Sequence, residues 1–118
     1  MLNSSVLIIE PFHYIRQMSK FQVVSVTKLK EMLEQRNLWL RMRSGRLRAV
    51  ERATDPAKIS PGGTSYIISY YDRNSRNFFT IHRIVTKGGD TIHEHAKDAF
   101  IDGVRYKAKI IYRGEEYE

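Results

Sequence analysis

The chain predicts an α+β fold, with one early helix packed on a mostly antiparallel, meander-type β-sheet. Three observations carry that expectation. One stretch, residues 25–36, repeats its apolar side chains at helical spacing. From Ser65 onward the period is two, with β-branched and aromatic residues prominent. Short polar or glycine-containing breaks separate the alternating runs, as hairpins require. A chain of 118 residues predicts a single domain, 1–118.

Element by element, Val6–Ile9 reads as a short strand stopped by Pro11, and Phe21–Ser25 as a second. Ser25 or Thr27 can cap a helix by accepting an orphan backbone N–H. That helix runs to about Arg36, with Val26, Leu29, Met32 and Leu33 as its apolar stripe. Leu38, Leu40 and Met42 then alternate with Trp39, Arg41 and Arg43. A hairpin is predicted here, turning at Ser44-Gly45 and returning over Arg46–Arg52. Asp55 to Gly63 is a loop holding Pro56, Pro61 and a glycine pair. Ser65–Tyr71, Phe78–Thr86 and Asp90–Ala96 follow as strands, joined by the polar turn Asp72–Asn77 and by Gly88-Gly89. Asp102-Gly103 marks a last hairpin, and Val104, Tyr106, Ala108, Ile110 and Tyr112 alternate along the final strand.

The bulk numbers narrow the chemistry. There is no cysteine, which excludes disulfides, thiolate metal sites and cysteine nucleophiles. The apolar run Val6–Ile9 is too short for a secretory or membrane-spanning segment, so a cytoplasmic protein without membrane attachment is expected. The net charge is +7, from 20 Lys/Arg and 13 Asp/Glu. Residues 1–89 carry 15 basic and 6 acidic residues, against 5 and 7 in residues 90–118. Twelve of the 20 cations are arginine, whose planar fork suits bidentate phosphate contacts. The balance points to a polyanionic partner, RNA or another nucleic acid.

Three of the four histidines sit in one short stretch, as Ile81-His82-Arg83 and Ile92-His93-Glu94-His95. A two-residue turn at Gly88-Gly89 would pair Thr86 with Thr91, Ile84 with His93, His82 with His95 and Thr80 with Lys97. Strand alternation then gathers Thr80, His82, Ile84, Thr86, Thr91, His93, His95 and Lys97 on one face. Phe79, Ile81, Val85, Ile92 and Ala96 take the core face, with Arg83 opposite Glu94. Directly opposed Cβ atoms lie about 4.5–5.5 Å apart, which brings His82 and His95 into contact range. Histidines and threonines are also ordinary on a solvated strand.

Two chemistries suit the cluster. In metal-independent RNA cleavage, one imidazole takes the 2′-OH proton and another protonates the leaving 5′-oxygen. Lys97 would stabilise the charge on phosphorus, and no cofactor is needed. Alternatively His82, His93 and His95 are metal ligands, since His-x-His on a strand aims two rings the same way. Asp98 is a fourth candidate ligand, turned to the opposite face if the strand is regular. The spacing Gly89-x3-His93-x-His95 also has a faint cupin look, but the 15 residues after Gly103 leave no room for the second histidine motif. His13 stands apart and reads as structural.

Arg41, Arg43, Arg46 and Arg48 crowd the tip of the predicted 38–52 hairpin and, with Arg83, are the candidate nucleic-acid contacts. Trp39 shares the Arg41/Arg43 face, where it could stack on a base, but reads first as core. Phosphate loops, nucleotide fingerprints and serine-hydrolase elbows are absent. The stretch Tyr70-Tyr71-Asp72, Ile81-His82-Arg83 and His93-Glu94-His95, within residues 65–100, resembles the histidine-containing C-terminal half of TumE-like ribonuclease toxins. That resemblance implies an endoribonuclease neutralised by an acidic, antitoxin-like protein partner. The rival reading is a non-catalytic nucleic-acid-binding or regulatory module; a third is a small His-ligated metal enzyme.

Overall fold

The computed structural model describes residues 21–110. The expected strand at Val6–Ile9, and His13, lie outside those residues. The elements run β1 (Gln22–Ser25), α1 (Val26–Gln35), α2 (Leu38–Arg43), β2 (Arg48–Pro56), β3 (Thr64–Tyr71), β4 (Phe78–Val85), β5 (Thr91–Ile101) and β6 (Val104–Lys109). The six strands form one sheet in the order β1-β6-β5-β4-β3-β2. β2 to β6 are an antiparallel meander, and β1 joins β6 in parallel. The architecture is α+β, as the periodicity predicts.

Ser25 starts α1 as its N-cap, its Oγ accepting from the Lys28 N–H at 2.9 Å. The helix buries Leu29, Met32 and Leu33. It ends at Asn37, which takes a left-handed φ of 60° and swings the chain directly into α2.

The predicted 38–52 hairpin is replaced by this second helix. Its pattern satisfies two periods, and burial decides between them. Strand alternation would put Leu38, Leu40 and Met42 on one face. Instead Leu38, Trp39 and Met42 are buried and Leu40 is 64% exposed, which is the i, i+1, i+4 face of a helix. Leucine, methionine and arginine are also strong helix formers. Ser44-Gly45 is therefore a helix end: Gly45 has φ +74° and the Arg46 N–H bonds back to the Arg41 carbonyl at 2.8 Å. Only the return arm survives as a strand, β2.

Both helices cover one face of the sheet. Leu29, Leu33, Leu38, Trp39 and Met42 meet Tyr70, Phe79, Ile81, Ala96, Ala99, Ile101 and Ala108 in one core cluster. Trp39 is core, as expected, with its ring 6.5 Å from that of Phe79. Among the described residues no helix packs on the opposite face, and none is long and apolar enough to cross a membrane.

Candidate functional site

The β4–β5 hairpin builds the site. Its turn holds three residues between Thr86 and Asp90, one more than expected. The Gly89 N–H bonds to the Thr86 carbonyl at 2.9 Å and the Thr86 N–H to the Asp90 carbonyl at 2.8 Å. Gly89 takes φ +97°, which a side chain would resist. Ile92 is then skipped, so Val85 rather than Thr86 faces the start of β5, opposite Thr91. This bulge restores the expected register: Ile84 faces His93, Arg83 faces Glu94 and His82 faces His95. Ile92, expected in the core, is 51% exposed at the bulge.

A second irregularity falls between Ala96 and Asp98. Thr80 pairs with Asp98, not with Lys97 as expected, and Lys97 is skipped in the pairing with β4. The extra residue moves Asp98 onto the histidine face, reversing the expectation for a regular strand.

The three imidazoles converge. Ring centroids lie 5.2 Å apart for His82–His93, 5.6 Å for His82–His95 and 4.8 Å for His93–His95. His95 Nδ1 and His93 Nε2 are hydrogen-bonded at 2.9 Å, and Ser65 Oγ holds His82 Nε2 at 2.9 Å. His82 and His95 are buried, at 8% and 7% exposure, and His93 is half-buried. Burial pushes the His95 pKa down to about 4, helped by the neighbouring His93, His82 and Lys97. His95 is thus neutral at pH 7, and its Nε2 is buried without a hydrogen-bond partner among the described residues.

The same face carries a feature that the one-dimensional pattern does not display. Arg48, Tyr71, Phe78, Phe100 and Arg105 are consecutive partners across β2, β3, β4, β5 and β6. The Tyr71 and Phe78 rings stack at 5.3 Å, and those of Phe78 and Phe100 at 5.5 Å. The Arg48 guanidinium lies 5.6 Å from the Tyr71 ring centroid. Arg52 reaches the Tyr71 hydroxyl and Ser69. Lys107, on the same face of β6, lies 5.3 Å from the Phe21 ring centroid. An unbroken aromatic row thus crosses the sheet, with exposed cations at both ends.

The predicted arginine cluster is divided. Arg41 forms a two-pronged pair with Asp72, both contacts at 3.1 Å. Arg43 pairs with Glu94, which also takes Arg83 as expected. Of the four, Arg46 and Arg48 make no ion pair among the described residues. They remain beside Tyr71 and Arg73 at the end of the row.

Asp72 is the organiser here. Besides Arg41 it accepts from Ser75 Oγ at 2.7 Å and the Asn74 N–H at 3.2 Å. Arg41 first, then Ser75, hold its pKa down at about 2. Asp72→Asn should lower stability by roughly 1.5–3 kcal/mol at pH 7, as for a lost charged hydrogen bond. Asp72 contributes above the unfolded carboxylate pKa of 3.8, and that contribution disappears as pH falls through about 2. The gap between wild type and variant in urea melts should therefore narrow over that interval. A gap independent of pH would refute the assignment.

No family model, curated protein or solved structure matches the chain.

Proposed function

We propose that the protein binds single-stranded RNA on the face of its sheet opposite α1 and α2. The single observation that carries this reading is the row Tyr71–Phe78–Phe100 flanked by Arg48 and Arg105. Bases have apolar faces joined by a charged backbone, so a binding surface needs stacking partners bordered by cations. Stacking on an aromatic side chain is worth about 1–3 kcal/mol per base. Arg46, Arg48 and Lys107 are exposed and near the row's two ends, where phosphates would pass. The net charge of +7 favours the encounter. An acidic segment of an antitoxin-like partner would meet the same arginines and compete with RNA.

Metal-independent cleavage of the bound strand is a second reading, favoured by the His93–His95 hydrogen bond. His93 would take the 2′-OH proton, and the 2′-oxygen would attack phosphorus and expel the 5′-oxygen with a proton from a neighbouring ring. It predicts a 2′,3′-cyclic phosphate product in the presence of chelator. Against it, His82 and His95 are too buried to reach a polymer directly, so binding is the better-supported function.

Fluorescence anisotropy with a labelled single-stranded RNA tests the binding reading. Phe78→Ala and Phe100→Ala should each weaken binding roughly 5- to 150-fold. Arg46→Ala with Arg48→Ala should flatten the salt dependence by about 0.7 per lost phosphate contact. Arg41→Ala and Arg43→Ala should change the slope little, because Asp72 and Glu94 already engage those side chains. Wild-type affinity in a folded Phe78→Ala/Phe100→Ala double variant would overturn the proposal.

A further inference from the structure

We infer that His82, His93 and His95 are the ligand set of a divalent metal ion of the zinc class. One nitrogen from each ring can be chosen so that all three lie within 4.8 Å of one another. Three nitrogens on one tetrahedral ion at about 2.0–2.1 Å sit roughly 3.4 Å apart. Small rotations of rings already in mutual contact cover that difference.

The second, independent observation is His95 Nε2, buried and without a hydrogen-bond partner among the described residues. An unpaired buried polar atom costs about 1–3 kcal/mol, and folded proteins retain few of them without a use. The backbone also commits residues to the cluster: the Ile92 bulge and the three-residue turn together hold His82 directly opposite His95. Ser65 fixes the His82 ring through Nε2, as outer partners of metal-bound imidazoles do.

The donor set restricts the ion. Three imidazoles and no thiolate suit zinc, copper, nickel or iron rather than calcium or magnesium, which prefer oxygen. Three protein ligands also leave one tetrahedral position for water or a substrate oxygen, the arrangement of catalytic rather than structural zinc. Two charges bear on the ion from the same strand. Lys97 opposes a cation, and Asp98, carried to the histidine face by the second bulge, offsets it. Glu94 lies on the other face, engaged by Arg43 and Arg83.

This inference uses the same imidazoles as metal-independent cleavage and excludes that reading, but it does not depend on RNA binding. The test titrates the chelator-treated 118-residue chain with Co²⁺ and then Zn²⁺. One equivalent of Co²⁺ should give the visible bands of a four-coordinate ion, and Zn²⁺ should displace it. His93→Ala, which removes a half-buried ring, should weaken binding more than the roughly 10–100-fold typical of losing an outer partner. If that variant does not fold, nitrogen NMR of the wild-type imidazoles decides, with three rings shifting on Zn²⁺ addition. A folded chain that takes up neither metal, unchanged affinity in His93→Ala, or fewer than three shifted rings overturns the metal centre. RNA affinity of the same chelated sample separates the two proposals: retained RNA binding without metal uptake removes only this one.

Discussion

Glu94→Ala should lower the unfolding free energy by about 3–5 kcal/mol, the usual result of stranding a buried charge by removing its partner. Glu94 is 7% exposed by its side chain and serves two arginines from different elements. Arg83 comes from the adjacent strand β4 and is itself only 19% exposed. Arg43 comes from the last turn of α2 and is 53% exposed. The carboxylate therefore ties the short helix to the sheet, and its loss leaves the Arg83 guanidinium under α2 beside Met42. Arg43→Ala should cost less, about 0–1 kcal/mol, because a mostly solvated cation gains little from its partner. Glu94→Gln, which keeps an acceptor but not the charge, should fall between them. Urea denaturation of the three variants measures the order. A loss below 1 kcal/mol for Glu94→Ala would mean that the apolar contacts and the Arg41–Asp72 pair hold α2 without it.

Much of this architecture was readable because local and tertiary preferences agree. Ser25 caps α1 and the stripe Leu29, Met32 and Leu33 is buried as its spacing requires. β3 and β4 fall where alternation places them, and the Asp72–Asn77 turn joins them. Residues 38–43 misled because Leu38 and Met42 are four apart, a spacing compatible with both a strand face and a helix face. The choice is made by Trp39, whose burial against Phe79 requires a helix. The histidine convergence was legible even though the turn length was wrong, because the Ile92 bulge compensates for the longer turn. The Lys97 bulge had no such signature, and with it went the expected place of Asp98 on the opposite face and the Thr80–Lys97 pair. The aromatic row was invisible for the same reason: Phe100 meets Phe78 only after that extra residue is absorbed. Charge counting likewise showed arginines but not that Arg41 and Arg43 are already paired.

Adjacent residues on β4 should separate stability from binding. Phe79 is fully buried on the helix side, its ring 5.6 Å from Tyr70 and 6.5 Å from Trp39. Phe78 is half-buried on the other side, in the row with Tyr71 and Phe100. Phe79→Ala should cost about 3–5 kcal/mol, because the cavity opens where both helices and the sheet meet and rigid rings cannot close it. Phe79→Leu should recover most of that by refilling the volume. In conditions where the variant remains folded, its RNA affinity should equal that of wild type. Phe78→Ala should do the reverse: a small change in the urea midpoint and a large one in RNA affinity, since its ring faces the surface proposed to receive bases. The contrast follows from the two-residue alternation of a strand, which sends neighbouring side chains to opposite faces. If Phe78→Ala unfolds the protein as readily as Phe79→Ala does, the aromatic row is a second core rather than a binding surface.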